Sequence, residues 1–281
     1  MRIHILGCRG SAPAPGSRFD RYGGDTSAVA VGTGEGPPSL LLDAGTGLGN
    51  LGSLVDGGFR GAVLLTHWHW DHTHGIPFCP QLDHHDARVR LMAPGPEPAR
   101  AVLSRMLGPP HFPISPEGLR GAWTFENVPA ELEIDGLRVS SGAIPHKGGR
   151  TLGYRVGSGS CSLAYLPDHA VADEPSPEVE RLVAGVDLLI HDGQHTEAEF
   201  AARRHLGHSS IERAIALSDR MGCRRLLLFH HDPRRADEDL DAIARSLPSH
   251  VQLARQGSHI EVGGVGYTAR CAAEVGTGAE G

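Results

Sequence analysis

The chain has 281 residues, 40% of them hydrophobic and 5% aromatic, with 38 glycines and a formal charge of −7. That length is ample for a sizeable core, and the negative balance excludes a broad nucleic-acid-binding face while leaving room for a small anionic substrate. Five scattered cysteines (Cys8, Cys79, Cys161, Cys223, Cys271) lack any CxxC pairing, which argues against a disulfide framework and for a reducing compartment.

In chain order, the apolar run at residues 2–6 reads as a first strand, too short for a signal peptide. Further strands are expected at 27–31, 40–43, 62–66, 89–92, 137–141, 152–156, 162–166, 187–190, 226–229, 251–254 and 259–262. A helix is expected over 97–107, inside a Pro-rich stretch from 76 to 129 that otherwise reads as irregular. Ser176-Pro177-Glu178 starts a second helix, which Gly185 ends. Thr196-Glu197-Ala198-Glu199 is a capping box opening a third, toward Arg204. Ser209-Ser210-Ile211-Glu212 opens a fourth that Gly222 stops, and Asp237 caps a last one running to about Leu247. No linker or repeat divides the chain, so one α/β domain over 1–270 is expected, with a disordered Gly-rich tail at 271–281. No stretch reaches the roughly 20 apolar residues needed to cross a bilayer. A cytoplasmic protein without membrane contact is expected, with a homodimer left open.

The most informative segment is His67-Trp68-His69-Trp70-Asp71-His72, directly after the apolar run Ala62-Val63-Leu64-Leu65. His67 and His69 are two apart, so both imidazoles of an extended backbone project to one side. Asp71 and His72 follow where the chain should turn and face a second point, so one loop could serve two adjacent metal ions. A paired site must be completed from elsewhere. His146 follows a strand and a Pro145 bend, Asp168 ends a strand where its two oxygens could bridge two cations, and His230 ends Leu226-Leu227-Leu228-Phe229.

These clusters carry a family resemblance along nearly the whole chain. The segments are Gly7-Cys8-Arg9-Gly10-Ser11, Leu42-Asp43-Ala44-Gly45-Thr46-Gly47, Thr66 to His72, Thr151-Leu152-Gly153-Tyr154-Arg155, Tyr165-Leu166-Pro167-Asp168, Gly207-His208-Ser209-Ser210 and Phe229-His230-His231-Asp232-Pro233. In this order they resemble metallo-β-lactamase-fold hydrolases, on the branch with ribonuclease Z and phosphodiesterase-like enzymes. The resemblance implies a four-layer αββα sandwich with the site along one edge of two sheets. It further implies one metal on His67, His69 and His146, a second on Asp71, His72 and His230, and Asp168 bridging them. Zinc is the metal implied, and an N/O donor set also suits manganese or iron. Asp43 would support the metal loop from behind. His230 and His231 compete, since adjacent side chains on an extended chain point opposite ways; motif position favours His230 and leaves His231 a supporting place.

The chemistry so implied is hydrolysis by a metal-bridging hydroxide, with Asp71 and His208 as catalytic groups. A small phosphodiester such as a cyclic nucleotide is the expected substrate. His208 stands before a helix start, where amides attract anions. In His191-Asp192-Gly193-Gln194, Asp192 takes the place of a glutamate of ribonuclease Z, and its shorter reach leaves a relay to His208 open. Lys147, the only lysine, Arg150, and His111 in the Pro-rich stretch are the substrate-contacting candidates, with that stretch as a candidate roof. The short step from His146 to Asp168 leaves no room for the long arm of transfer-RNA-processing relatives, so transfer RNA is not expected as substrate. The alternatives are a lactone or thioester hydrolase, a mononuclear iron oxygenase, and a non-catalytic metal-binding module.

Overall fold

The computed structural model of the chain describes residues 1–263 and the strand Arg270–Cys271. The first sheet is built from β1 (Arg2–Gly7), β2 (Ala28–Gly32), β3 (Leu40–Leu42), β4 (Arg60–Leu64), β5 (Arg88–Ala93) and β6 (Ala122–Asn127). The second holds β7 (Glu131–Ile134), β8 (Leu137–Ile144), β9 (Thr151–Ser158), β10 (Cys161–Leu166), β11 (Leu188–Asp192), β12 (Leu226–Phe229) and β13 (Val251–Leu253). The chain then returns to the first sheet with β14 (Ser258–Glu261) beside β1, followed by β15 (Arg270–Cys271). Among the described residues, five α-helices, α1 (Ala99–Met106), α2 (Pro177–Val183), α3 (Glu197–Arg203), α4 (Ile211–Arg220) and α5 (Asp237–Ala244), lie between the strands in sequence.

Strand alternation sorts the apolar residues into three cores. Leu40 and Leu42 of β3, Ala62 and Leu64 of β4, Leu188 and Ile190 of β11, and Leu227 and Phe229 of β12 meet in one cluster between the sheets. Their neighbours Leu41 and Val63 face the opposite way, toward Ala99 and Leu103 of α1. Leu189, Leu226 and Leu228 face Leu182 of α2, Leu217 of α4 and Leu240 of α5. Period-2 strands buried on both faces read as continuous apolar runs. The result is the αββα layering that the resemblance implied.

β3, β4 and β5 run parallel in one sheet, as do β10, β11 and β12 in the other. Their carboxyl-terminal ends are where loops collect functional side chains. The segments after β4, β8, β10 and β12 carry His67, His146, Asp168 and His230, and Asp192 is the last residue of β11.

Several expectations differ from the structure. β6 and β7 were not foreseen: both are edge strands whose side chains are half-exposed or exposed apart from Ile134, so they carry no buried run. The stretch from 76 to 129 is therefore more regular than its proline content suggests. The helix expected over 97–107 is confined to α1. Ala236, not Asp237, stands at the N-cap of α5. Asp239 accepts from the Ala236 amide, while Asp237 accepts from the amides of Arg21 and Tyr22. α4 is capped by Ser210 on the Arg213 amide, and Glu212 reaches across to the Glu197 amide instead of closing a box. The tail expected to be disordered lies outside the described residues, apart from Cys271 in β15.

Candidate metal centre

The ligand loop is fixed from below by Asp43. This fully buried residue adopts a left-handed backbone conformation, φ 60°, uncommon without glycine and met where surroundings over-determine the chain. Its carboxylate accepts from the Thr66 amide at 2.7 Å, the Thr66 hydroxyl at 2.9 Å, His72 Nδ1 at 2.8 Å and the Tyr165 hydroxyl at 3.0 Å. Because Nδ1–H of His72 donates to Asp43, it is Nε2 that is turned toward the centre. The same logic holds twice more. His67 Nδ1 lies 3.0 Å from the Thr66 hydroxyl oxygen, and His146 Nδ1 lies 2.7 Å from the Gly207 carbonyl. Each pairing assigns the proton to Nδ1 and frees Nε2, as outer partners of metal-binding histidines do.

The freed atoms converge on Asp168. One of its oxygens lies 3.5 Å from His67 Nε2 and 3.4 Å from His146 Nε2, and His69 Nδ1 is 3.4 Å from His146 Nε2. The other lies 3.3 Å from His72 Nε2 and 3.0 Å from His230 Nε2. Asp71 closes the second group, at 3.3 Å from His72 Nε2 and 3.1 Å from His230 Nε2. Two four-residue sets, His67/His69/His146/Asp168 and Asp71/His72/Asp168/His230, each gather one donor atom per residue within 4.8 Å, with Asp168 common to both.

The electrostatics ask for cations here. Burial pushes the His67, His69 and His146 imidazoles below their ordinary value, so they present neutral lone pairs. Burial opposes charge on His72 and His230 as well. Asp168 and Asp71 outweigh it, raising His72 well above the usual range and His230 to about 10. Burial likewise disfavours ionised Asp71 and Asp168, yet His72 and His230 hold both carboxyls well below the usual range. His67 Nε2, His72 Nε2 and Asp168 Oδ1 are buried without a hydrogen-bond partner, a costly state for polar atoms. A divalent cation would satisfy all of them, and the imidazole and carboxylate donors suit zinc, manganese or iron. The residues fit divalent metal binding.

His231 points elsewhere, with Nε2 at 2.9 Å from the Ala254 carbonyl and its ring edge-on to Tyr22. His230 turns toward the carboxylates through its own left-handed backbone, φ 60°, which adjacency on an ideal strand could not foretell. His208 Nδ1 lies 2.8 Å from Asp192 Oδ2, so the shorter carboxylate reaches after all. Asp192 is itself held by the amides of Gln194 and His169. The helix amides expected to address an anion are partly engaged: the Ile211 amide bonds the His195 carbonyl and the Arg213 amide bonds Ser210.

An open cleft of about 370 Å³ leads to the centre, lined by Ser11, Trp68, Trp70 and His208 with His69, Asp71 and Asp168. None of these comes from 76–129, so the roof expected there does not line the cleft. Lys147 and Arg150 are exposed beside His146, and His111 is exposed after α1 outside the lining. Sequence reasoning missed Ser11, whose amide donates to Asp71 at 2.7 Å and whose hydroxyl accepts from Gln194. Its signal was the Gly10-Ser11 pair in a turn after β1, where Ser11 has φ 61°. It missed Thr66 and Tyr165 too, whose roles appear only through contact with Asp43.

Comparison with known proteins agrees with this geometry. A family model described as a β-lactamase superfamily domain matches residues 40–231. The ribonuclease Z of Gemmatimonas aurantiaca is 37% identical over 78 residues, 27% of this chain and 25% of that protein. The chain spans about a quarter of the length of the curated relatives it matches. Two solved structures share the fold. A diphosphatase of the PhnP family has a TM-score of 0.71 at 20% identity, covering 92% of this chain and 97% of that one. The short form of human tRNase Z has a TM-score of 0.70 at 19% identity, covering 94% and 100%. Relatives of these names give the expectation against transfer RNA no support. Among the described residues no helix is long and apolar enough to cross a membrane.

Proposed function

This chain belongs to the β-lactamase superfamily, and from that premise we propose that it is a metal-dependent phosphodiesterase acting on a small phosphodiester such as a cyclic nucleotide. The observation that carries the reading is the pair of ligand sets sharing Asp168, with His208 and Asp192 gathered around the same carboxylate and His230. In this reading His67, His69 and His146 hold one cation, Asp71, His72 and His230 the other, and Asp168 serves both. Bound there, two divalent cations supply an activated water at neutral pH and Lewis acidity toward a substrate oxygen.

The chain's own residues do the rest. Asp43 and Thr66 keep the imidazoles in one tautomer, so donor geometry precedes binding. Asp192 accepts a hydrogen bond from Nδ1–H of His208, which orients the ring so that a proton on Nε2 faces the cleft. As the P–O bond to the leaving group breaks, that proton passes to the leaving oxygen and His208 becomes neutral. The Ser11 hydroxyl, which already accepts from Gln194, keeps its own proton to donate to a phosphate oxygen.

Elemental analysis after zinc or manganese reconstitution, joined to a panel of bis(p-nitrophenyl) phosphate, cyclic nucleotides, a transfer-RNA precursor, lactones and thioesters, tests the reading. About two ions per chain and phosphodiester turnover are expected, with both lost in His69→Ala and Asp168→Ala. Good turnover of lactones or thioesters with every phosphodiester inert would overturn it.

A further inference from the structure

Trp70 sits between two candidate ligands, His69 and Asp71, yet its side chain is 75% exposed, the most exposed large hydrophobic among the described residues. Tryptophan is highly buried on average, so a bare indole is the informative kind of exposure. The backbone around it is pinned. The His72 amide bonds the His69 carbonyl, the Thr73 and His74 amides both bond the Trp70 carbonyl, and the Thr73 hydroxyl bonds the His69 carbonyl. While its neighbours turn toward Asp168, Trp70 stays outside and lines the cleft together with Ser11 and His208. Trp68, two residues earlier, also borders the cleft but is partly buried against the outer core behind the first sheet. The aromatic surface continues outward from the same turn, with the His74 ring edge-on to Phe78 and Phe78 edge-on to Phe112.

We propose that Trp70 is a stacking platform for a planar, base-like substituent of the substrate, which makes the diester at the metal centre a nucleotide rather than an alkyl diester. The inference rests on the phosphodiesterase reading above. An indole with an open face suits a flat ring whose polar edges stay in water, whereas an aliphatic or acyl chain needs enclosure on several sides. Stacking of a base on an aromatic side chain is also tolerant of base identity, so Trp70 would select for nucleotides as a class.

The test uses the full chain loaded with metal and two substrates, adenosine cyclic monophosphate and the non-aromatic diester glycerophosphoglycerol. Trp70→Ala should raise KM for the nucleotide about 10-fold, change KM for the alkyl diester less than about twofold, and leave metal content unchanged. Trp70→Phe should recover most of the loss. Equal losses for both substrates, or none for the nucleotide, would overturn the proposal. A binding measurement separates this from the parent reading. Adenosine monophosphate should quench tryptophan fluorescence in the wild type, in Trp68→Phe and in Trp123→Phe, and most of that quench should be lost in Trp70→Phe, while inorganic phosphate should not quench. If no phosphodiester turns over, the parent reading falls while the quench still decides the stacking. An absent quench would overturn the stacking, and a Trp70→Ala variant altered only in its oligomeric state would make Trp70 a contact between copies instead.

Discussion

At the scale of single residues, function at this centre is set by which nitrogen of each histidine carries the proton. His208 illustrates it. Its Nδ1–H donates to Asp192 at 2.8 Å, which in the proposed reading leaves Nε2 as the working atom. His208→Ala should lower kcat by about 10²–10⁴-fold while elemental analysis finds the metal content unchanged. An alkoxide leaving group should suffer more than p-nitrophenolate, which needs no proton. Loss of an ion in the variant would make His208 a ligand. Asp43 acts one step further back, through Thr66, His72 and Tyr165. Asp43→Ala strands four buried donors and releases two candidate ligands from their tautomer, so zinc affinity should fall about 10–100-fold in a competitive chelator titration. An unchanged affinity would show that the ligand loop holds its shape without that carboxylate.

At the scale of elements, the site depends on how closely the turn after β1 approaches the end of β12. A Cβ built on Gly10 would lie 2.2 Å from Nδ1 of His230, closer than any real contact. Gly10→Ala should therefore displace His230 and cost the second ion while circular dichroism shows the fold intact. Two ions still bound would mean the turn can move aside. The seam between β1 and β14 pairs His4 with His259, ring centroids 5.6 Å apart. Burial first, and then His259, push the His4 imidazole down from 6.5 to about 4. A depressed histidine leaves the unfolded chain binding the extra proton. Its contribution is thus intact above about pH 6.5 and lost as the pH falls toward 4. His4 is only half-buried, and solvent screening reduces the effect to about 1 kcal/mol. His4→Gln should flatten urea-unfolding stability between those pH values by that amount, and an equally steep acid limb would assign the dependence to other groups.

At the scale of the whole molecule, the two sheets meet over a shared apolar core, and the segments at the ends of β4, β8, β10, β11 and β12 are joined by a few backbone bonds, such as Ala170 amide to Pro145 carbonyl, and by the side chains that meet at Asp168. Without cations, several buried polar atoms there have no partner, so metal should act as a clamp across the sandwich. At about a hundredfold excess over Kd a ligand adds about 2.7 kcal/mol, so chelation should lower Tm by about 5–10 °C in scanning calorimetry, and zinc should restore it. A Tm indifferent to chelator would mean that the centre is preformed and carries no stability.

The sequence by itself determined the strands buried on both faces, because Leu226 to Phe229 or Ala62 to Leu65 have no polar residue to place elsewhere. It also pointed to four candidate ligands, His67, His69, Asp71 and His72, because the HxHxDH spacing after a strand is a local pattern. It did not show β6 and β7, whose edge positions leave them without a buried run. Nor did it decide between His230 and His231, since that choice depends on a left-handed backbone at His230 and on the carbonyl of Ala254 waiting for its neighbour. Ser11, Tyr165 and the reach of Asp192 to His208 were likewise decided only in three dimensions. Each is a contact between residues far apart in the chain, and its geometry comes from two sheets packing on one core rather than from any local preference.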